Sequence, residues 1–109
     1  MKKPPEHELR QQLNMETGKL SWKELQPHVA RGVVIKVAPG LDLVEVATKF
    51  VRDEMHAVAV WLENGSVTRT TDDDLRQWSD TQPIFWAVVA APWVLAQEIA
   101  DLSSNKKFH

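Results

Sequence analysis

The sequence predicts a small single-domain α+β protein, with helices around a short three-stranded sheet in the order αα-β-αα-β-α-β-α. Three observations carry this. The chain has 109 residues, 43% hydrophobic and 26% charged, which suits one core without staples. Cap residues precede apolar runs of helical spacing at Ser21-Trp22-Lys23-Glu24, Asp42-Leu43-Val44-Glu45 and Thr71-Asp72-Asp73-Asp74. Two short apolar runs, Val33–Val37 and Ile84–Ala90, have the composition of strands. The domain is expected over residues 9–102, with loose tails at 1–8 and 103–109.

Leu9, Leu13 and Met15 suggest a short first helix that stops at Gly18. Ser21 then caps a second, with Glu24 closing the capping box and Trp22, Leu25 and Val29 on one face. Pro27 removes an amide and crowds the preceding turn, so a kink or break is expected there. Gly32 ends the helix, and Val33-Val34-Ile35-Lys36-Val37 reads as a strand closed by Pro39-Gly40. Asp42, with Glu45 completing a box, opens a helix whose apolar face is Leu43, Val46, Ala47, Phe50 and Val51.

Arg52-Asp53-Glu54 turns the chain into a helix faced by Met55, Val58, Trp61 and Leu62 and ended by Asn64-Gly65. Ser66 to Thr70 alternates around Val67 as a short strand. Thr71 starts a helix bearing Leu75 and Trp78. Ile84–Ala90 is uninterrupted and apolar, the pattern of a strand covered on both faces. Pro92 ends it, and Leu95, Ile99 and Leu102 are spaced for a final helix.

With no cysteine, the chain has no disulfide, thiolate metal site or cysteine nucleophile. A formal charge of −2 exerts no general pull on nucleic acid or anionic membrane. The longest stretch free of charged and amide side chains, Ile84 to Ala96, falls short of the about 20 residues a membrane span needs. After Met1-Lys2-Lys3 comes Pro4-Pro5-Glu6-His7-Glu8 rather than an apolar signal core. A cytoplasmic protein without membrane contact is the expectation.

Leu43-Val44-Glu45-Val46-Ala47, then Val58-x-x-Trp61-x-x-x-Gly65-x-Val67, then Asp74-Leu75-x-x-Trp78 resemble the winged helix-turn-helix units of excisionase-type regulators. The turn between Ala47 and Val58 is longer than in those units. Val51-Arg52 also stands where a glycine and an apolar residue are usual, so the centre is a degenerate winged-helix-like one. A wider resemblance rests on Leu13-Asn14-x-Glu16-Thr17, Trp22-Lys23-Glu24-Leu25, Gly32-Val33-Val34-Ile35-x-Val37, Leu41–Ala47 and Pro92-Trp93-Val94-Leu95-x-Gln97. These are similar to the bacterial family known as domain of unknown function 2288. That resemblance implies a bacterial protein of about this length and implies no activity.

A DNA reader of this type would place its second helix in the major groove, with Arg52, His56, Asn64 and Arg69 as the contacts. Arg52 and Arg69 are the only cations nearby and stand against Asp53, Glu54, Glu63, Asp72, Asp73 and Asp74, which disfavours phosphate binding. His28 and His56 lack metal-ligand spacing, and the three aspartates suit the first turn of a helix. There is no Gly-x-Ser-x-Gly elbow and no glycine-rich phosphate loop, so neither an enzyme nor a cofactor or metal is expected.

Five tryptophans without a tyrosine are the positive signal. Trp61, Trp78 and Trp86 are assigned to the core, and Trp93, Trp22 and Val94 are the interface candidates, Trp93 first because it follows Pro92. The leading expectation is a non-enzymatic protein–protein interaction module acting as a homodimer. A DNA-binding regulator is second and a small-ligand or metal-binding domain third.

Overall fold

Side chains set three of the helix starts. Ser21 Oγ accepts the Glu24 amide at 3.2 Å and Glu24 Oε1 accepts the Ser21 amide at 2.9 Å. Thr71 and Asp74 make the same reciprocal pair. At Asp42 only half of the box forms. Its Oδ1 accepts the amides of Val44 and Glu45, while the Glu45 carboxylate turns away to Arg10 at 3.4 Å. A cation elsewhere in the fold thus outcompetes the local amide for Glu45.

The computed structural model describes residues 5–99. Along them run α1 (Glu6–Glu16), β1 (Gly18–Ser21), α2 (Trp22–Ala30), β2 (Val34–Val37), α3 (Leu43–Val51), α4 (Met55–Asn64), β3 (Val67–Arg69), α5 (Asp72–Thr81), β4 (Ile84–Ala90) and β5 (Trp93–Glu98). The strands form one sheet in the order β1-β4-β5-β2-β3. β2 and β5 are parallel, and every other neighbouring pair is antiparallel.

Alternation along the strands divides the core in two. Ile35, Val37, Val67, Val88 and Leu95 meet Leu9 and Leu13 of α1 and Leu43, Val46 and Ala47 of α3, with Trp61 of α4 at the margin. On the opposite face Val34, Phe85, Ala87, Val94 and Ala96 meet Trp22 and Leu25 of α2 and Trp78 of α5. Trp78 stands at the centre of that layer, 5.6 Å from the Trp22 ring and edge-on to Phe85 at 4.9 Å. The α+β class holds, as a sheet with helices on both faces.

Several expectations change. The sheet has five strands instead of three. β1 fills the gap between Gly18 and Ser21, a segment too short for any apolar period to show. The final helix expected at Leu95 and Ile99 is instead strand β5, and Leu102 lies outside the described residues. β5 turns back from β4 at Ala91-Pro92 and runs between β4 and β2, where it supplies the backbone partners of both. A helix there would leave β4 paired only with β1 and β2 only with β3, each with one open edge inside the sheet.

α2 is continuous through Pro27. The proline is exposed in the second half of a short helix, and Lys23, whose carbonyl it leaves without an amide, is an exposed residue as well. α1 begins at Glu6, and Leu9 and Leu13 are buried while Met15 points to solvent. β4 is not covered on both faces throughout, because Ile84, Trp86 and Val89 are exposed. Trp86 is therefore a surface tryptophan, with the Lys19 ammonium 5.2 Å from its ring.

Candidate functional site

α4 reads Met-His-Ala-Val-Ala-Val-Trp-Leu-Glu-Asn, apolar on almost every side. Val58 is buried, and Ala57 and Trp61 are half-buried towards α3 and β3. Among the described residues, three further apolar side chains stay open to solvent: Met55 is 64% exposed, Leu62 48% and Val60 46%. His56, Ala59 and Glu63 share that outer side. Large apolar side chains left exposed together on one helix commonly mark a contact surface.

Both ends of α4 are held firmly. At its start Glu54 accepts hydrogen bonds from Arg52 Nε at 2.9 Å and Lys49 Nζ at 3.1 Å. The Arg52 hydrogen bond first, and then that of Lys49, keep the Glu54 carboxyl below its usual range. At its end Gly65 takes the left-handed conformation (φ 81°), and Asn64 Oδ1 accepts the Ser66 amide at 2.9 Å. The outer face is thus a rigid ridge of nearly three turns.

The residues expected to touch DNA do not gather as free donors. Arg52 is committed to Glu54. Arg69, on β3, lies 5.2 Å from the Trp93 ring and donates to the Gly32 carbonyl at 3.3 Å. The Asn64 side chain closes the turn after α4, and His56 is exposed near the helix start. α4 itself presents its outer side to solvent and is not buried under the strand that carries Trp86.

Of the interface candidates, Trp22 and Val94 are 4% and 6% exposed and fill the core of a single copy. Trp93 is half-buried beneath Arg69. Tryptophans among apolar neighbours suit a core as well as an interface, and only the packing tells the two apart. The exposed apolar side chains of α4 have a signal in the sequence: besides the face of Met55, Val58, Trp61 and Leu62, Ala59 and Val60 interrupt the polar side formed by His56 and Glu63.

His28 and His56 sit on opposite faces of the sheet, in α2 and α4, and His28 Nδ1 lies 3.1 Å from Arg31. Among the described residues no three His, Asp or Glu side chains come together as a metal site. Of the three aspartates, Asp73 pairs with Arg76, while Asp74 closes the Thr71 cap and accepts Lys36 Nζ at 2.7 Å. A cleft of about 230 Å³ opens beside that pair, between Lys36, Trp78, Glu98 and Ser66.

The family model described as "Protein of unknown function (DUF2288)" matches residues 8–98. The chain belongs to this family. The solution structure of PA1075 from Pseudomonas aeruginosa, determined by NMR, is similar to this DUF2288 member at 42% identity. The match has a TM-score of 0.76 and covers 86% of this chain and 87% of that one. No functionally curated protein matches. The family places the DUF2288 fold on firm ground and carries no activity with it.

Proposed function

We propose that this DUF2288 protein works by contact with another protein and not by catalysis. The observation that carries this reading is the outer face of α4, where Met55, Val60 and Leu62 are exposed on a helix held rigidly at both ends. Isolated exposed apolar residues are ordinary on a protein surface. Three on one short helix, with Ala59 between them, form a patch of the kind that proteins cover by association. A cytoplasmic site of action belongs to the proposal. The apolar stretch 84–96 folds into β4 and β5, and no described helix is long and apolar enough to cross a membrane.

The test is quantitative affinity capture with the full chain and with the double variant Val60→Lys/Leu62→Lys. Because both side chains point outward, the variant should keep the wild-type circular dichroism spectrum and melting temperature within about 0.5 kcal/mol of stability. Partners retained by the wild type and lost by the folded variant are the expected result. An identical set on both would remove α4 from the function.

A further inference from the structure

We infer that the partner of α4 is a second copy of the same helix, packed antiparallel across a two-fold axis that passes between Ala59 and Val60. This rests on the protein-contact reading and names its partner. The outward residues are His56, Ala59, Val60 and Glu63, spaced i, i+3, i+4 and i+7, which is the stripe one helix offers another. At the centre of the stripe stand the small Ala59 and the compact Val60, which allow two helix axes to approach closely.

The polar groups at the two ends of the stripe, an imidazole at His56 and a carboxylate at Glu63, are complementary hydrogen-bonding partners under this symmetry and under no parallel arrangement. An axis between residues 59 and 60 sets His56 of one copy beside Glu63 of the other, and the two-fold repeats the pair at the far end. A parallel pair would instead oppose Glu63 to Glu63. Met55 and Leu62 lie together along one flank of the stripe and extend the apolar contact beyond its centre. Antiparallel helices also bring opposite dipole ends together. The exposed stripe carries neither lysine nor arginine, so no long cation has to be displaced.

A seam of one ten-residue helix per copy is small, at the low end of specific interfaces, so the dimer is weak and assembles at high concentration. The chain has no cysteine, so a single introduced thiol reports on the seam without interference. Sedimentation of the full chain from about 10 μM to about 1 mM should show an average mass rising from one chain towards two. Under mild oxidation Ala59→Cys should cross-link to a dimer, while Val89→Cys, exposed on β4 of the opposite sheet face, should not.

Ala59→Arg should stay folded and remain a single chain throughout that range. Glu63→Lys should weaken association by about fivefold, and His56→Glu added to it should restore the affinity, because the pair is then reversed and not broken. A single-chain mass at every concentration overturns the second-copy partner, and leaves the capture experiment to decide the broader reading on other proteins. A dimer that ignores Ala59→Arg and does not cross-link through Ala59→Cys overturns α4 as the seam.

Discussion

Asp74 shows how much one side chain can be asked to do. Its Oδ2 accepts the Thr71 amide and hydroxyl, and its Oδ1 accepts Lys36 from the central sheet, so it fixes the start of α5 to β2. Burial works to raise its carboxyl, but Lys36 and then Thr71 outweigh burial, and the group ends below its ordinary 3.8. A carboxyl that ionises more readily folded than unfolded adds stability that is complete above the unfolded value. That stability is lost as the pH falls through 3.8 towards the folded value. Asp74→Asn should therefore cost about 1–2 kcal/mol at neutral pH, by loss of a charge-assisted hydrogen bond, and should flatten the fall in melting temperature below pH 4. Equal slopes for variant and wild type in that acid window would show that folding leaves the Asp74 carboxyl unshifted, with burial cancelling Lys36 and Thr71. Gln97 is a second buried anchor, whose Nε2 donates to the carbonyls of Ala38 at 2.8 Å and Leu41 at 2.7 Å. Gln97→Leu should strand the Leu41 carbonyl and leave that of Ala38 with the Leu41 amide alone, cost about 1–3 kcal/mol, and speed amide exchange around residues 38–42.

Among the elements, α2 is the one that carries an internal penalty. Pro27 sits inside it, exposed, without the amide that an unbroken helix would use. Pro27→Ala should restore that hydrogen bond and raise stability by about 1–3 kcal/mol, read as a higher denaturant midpoint at unchanged slope. An unchanged or lower midpoint would mean that the stiffer unfolded chain of the wild type matters more. The helices were legible in the sequence because their signals are local. Ser21 with Glu24, Thr71 with Asp74, and Gly65 each act within four residues of where they stand. Glu45 was misassigned because its partner, Arg10, is distant in the chain. The same holds for the candidate site. The apolar composition of α4 was visible, but which of its sides lacked a neighbour was not.

For the whole molecule, the middle of the sheet decides the architecture. β5 receives hydrogen bonds from β4 on one side and β2 on the other, and Leu95 and Val94 seed opposite core layers. Leu95→Ala, fully buried beneath α3, should cost about 2–5 kcal/mol in equilibrium unfolding, whereas exposed apolar positions such as Val60 should tolerate a polar residue. If the chain pairs through α4, its melting temperature should also rise with protein concentration, an effect absent from Ala59→Arg.

By itself the sequence determined the α+β class, the starts of three helices, the strands at residues 34–37 and 84–90, and membership of the DUF2288 family. Each follows from composition or from residues close together in the chain. Only the tertiary structure decided that residues 93–98 are a strand, that Trp22 is spent in the core, that Trp86 meets solvent, and that α4 keeps an apolar side in water. Strand pairing and burial are contacts between distant segments. The apolar spacing that marks a helix or a strand is blind to which neighbour, if any, will cover it.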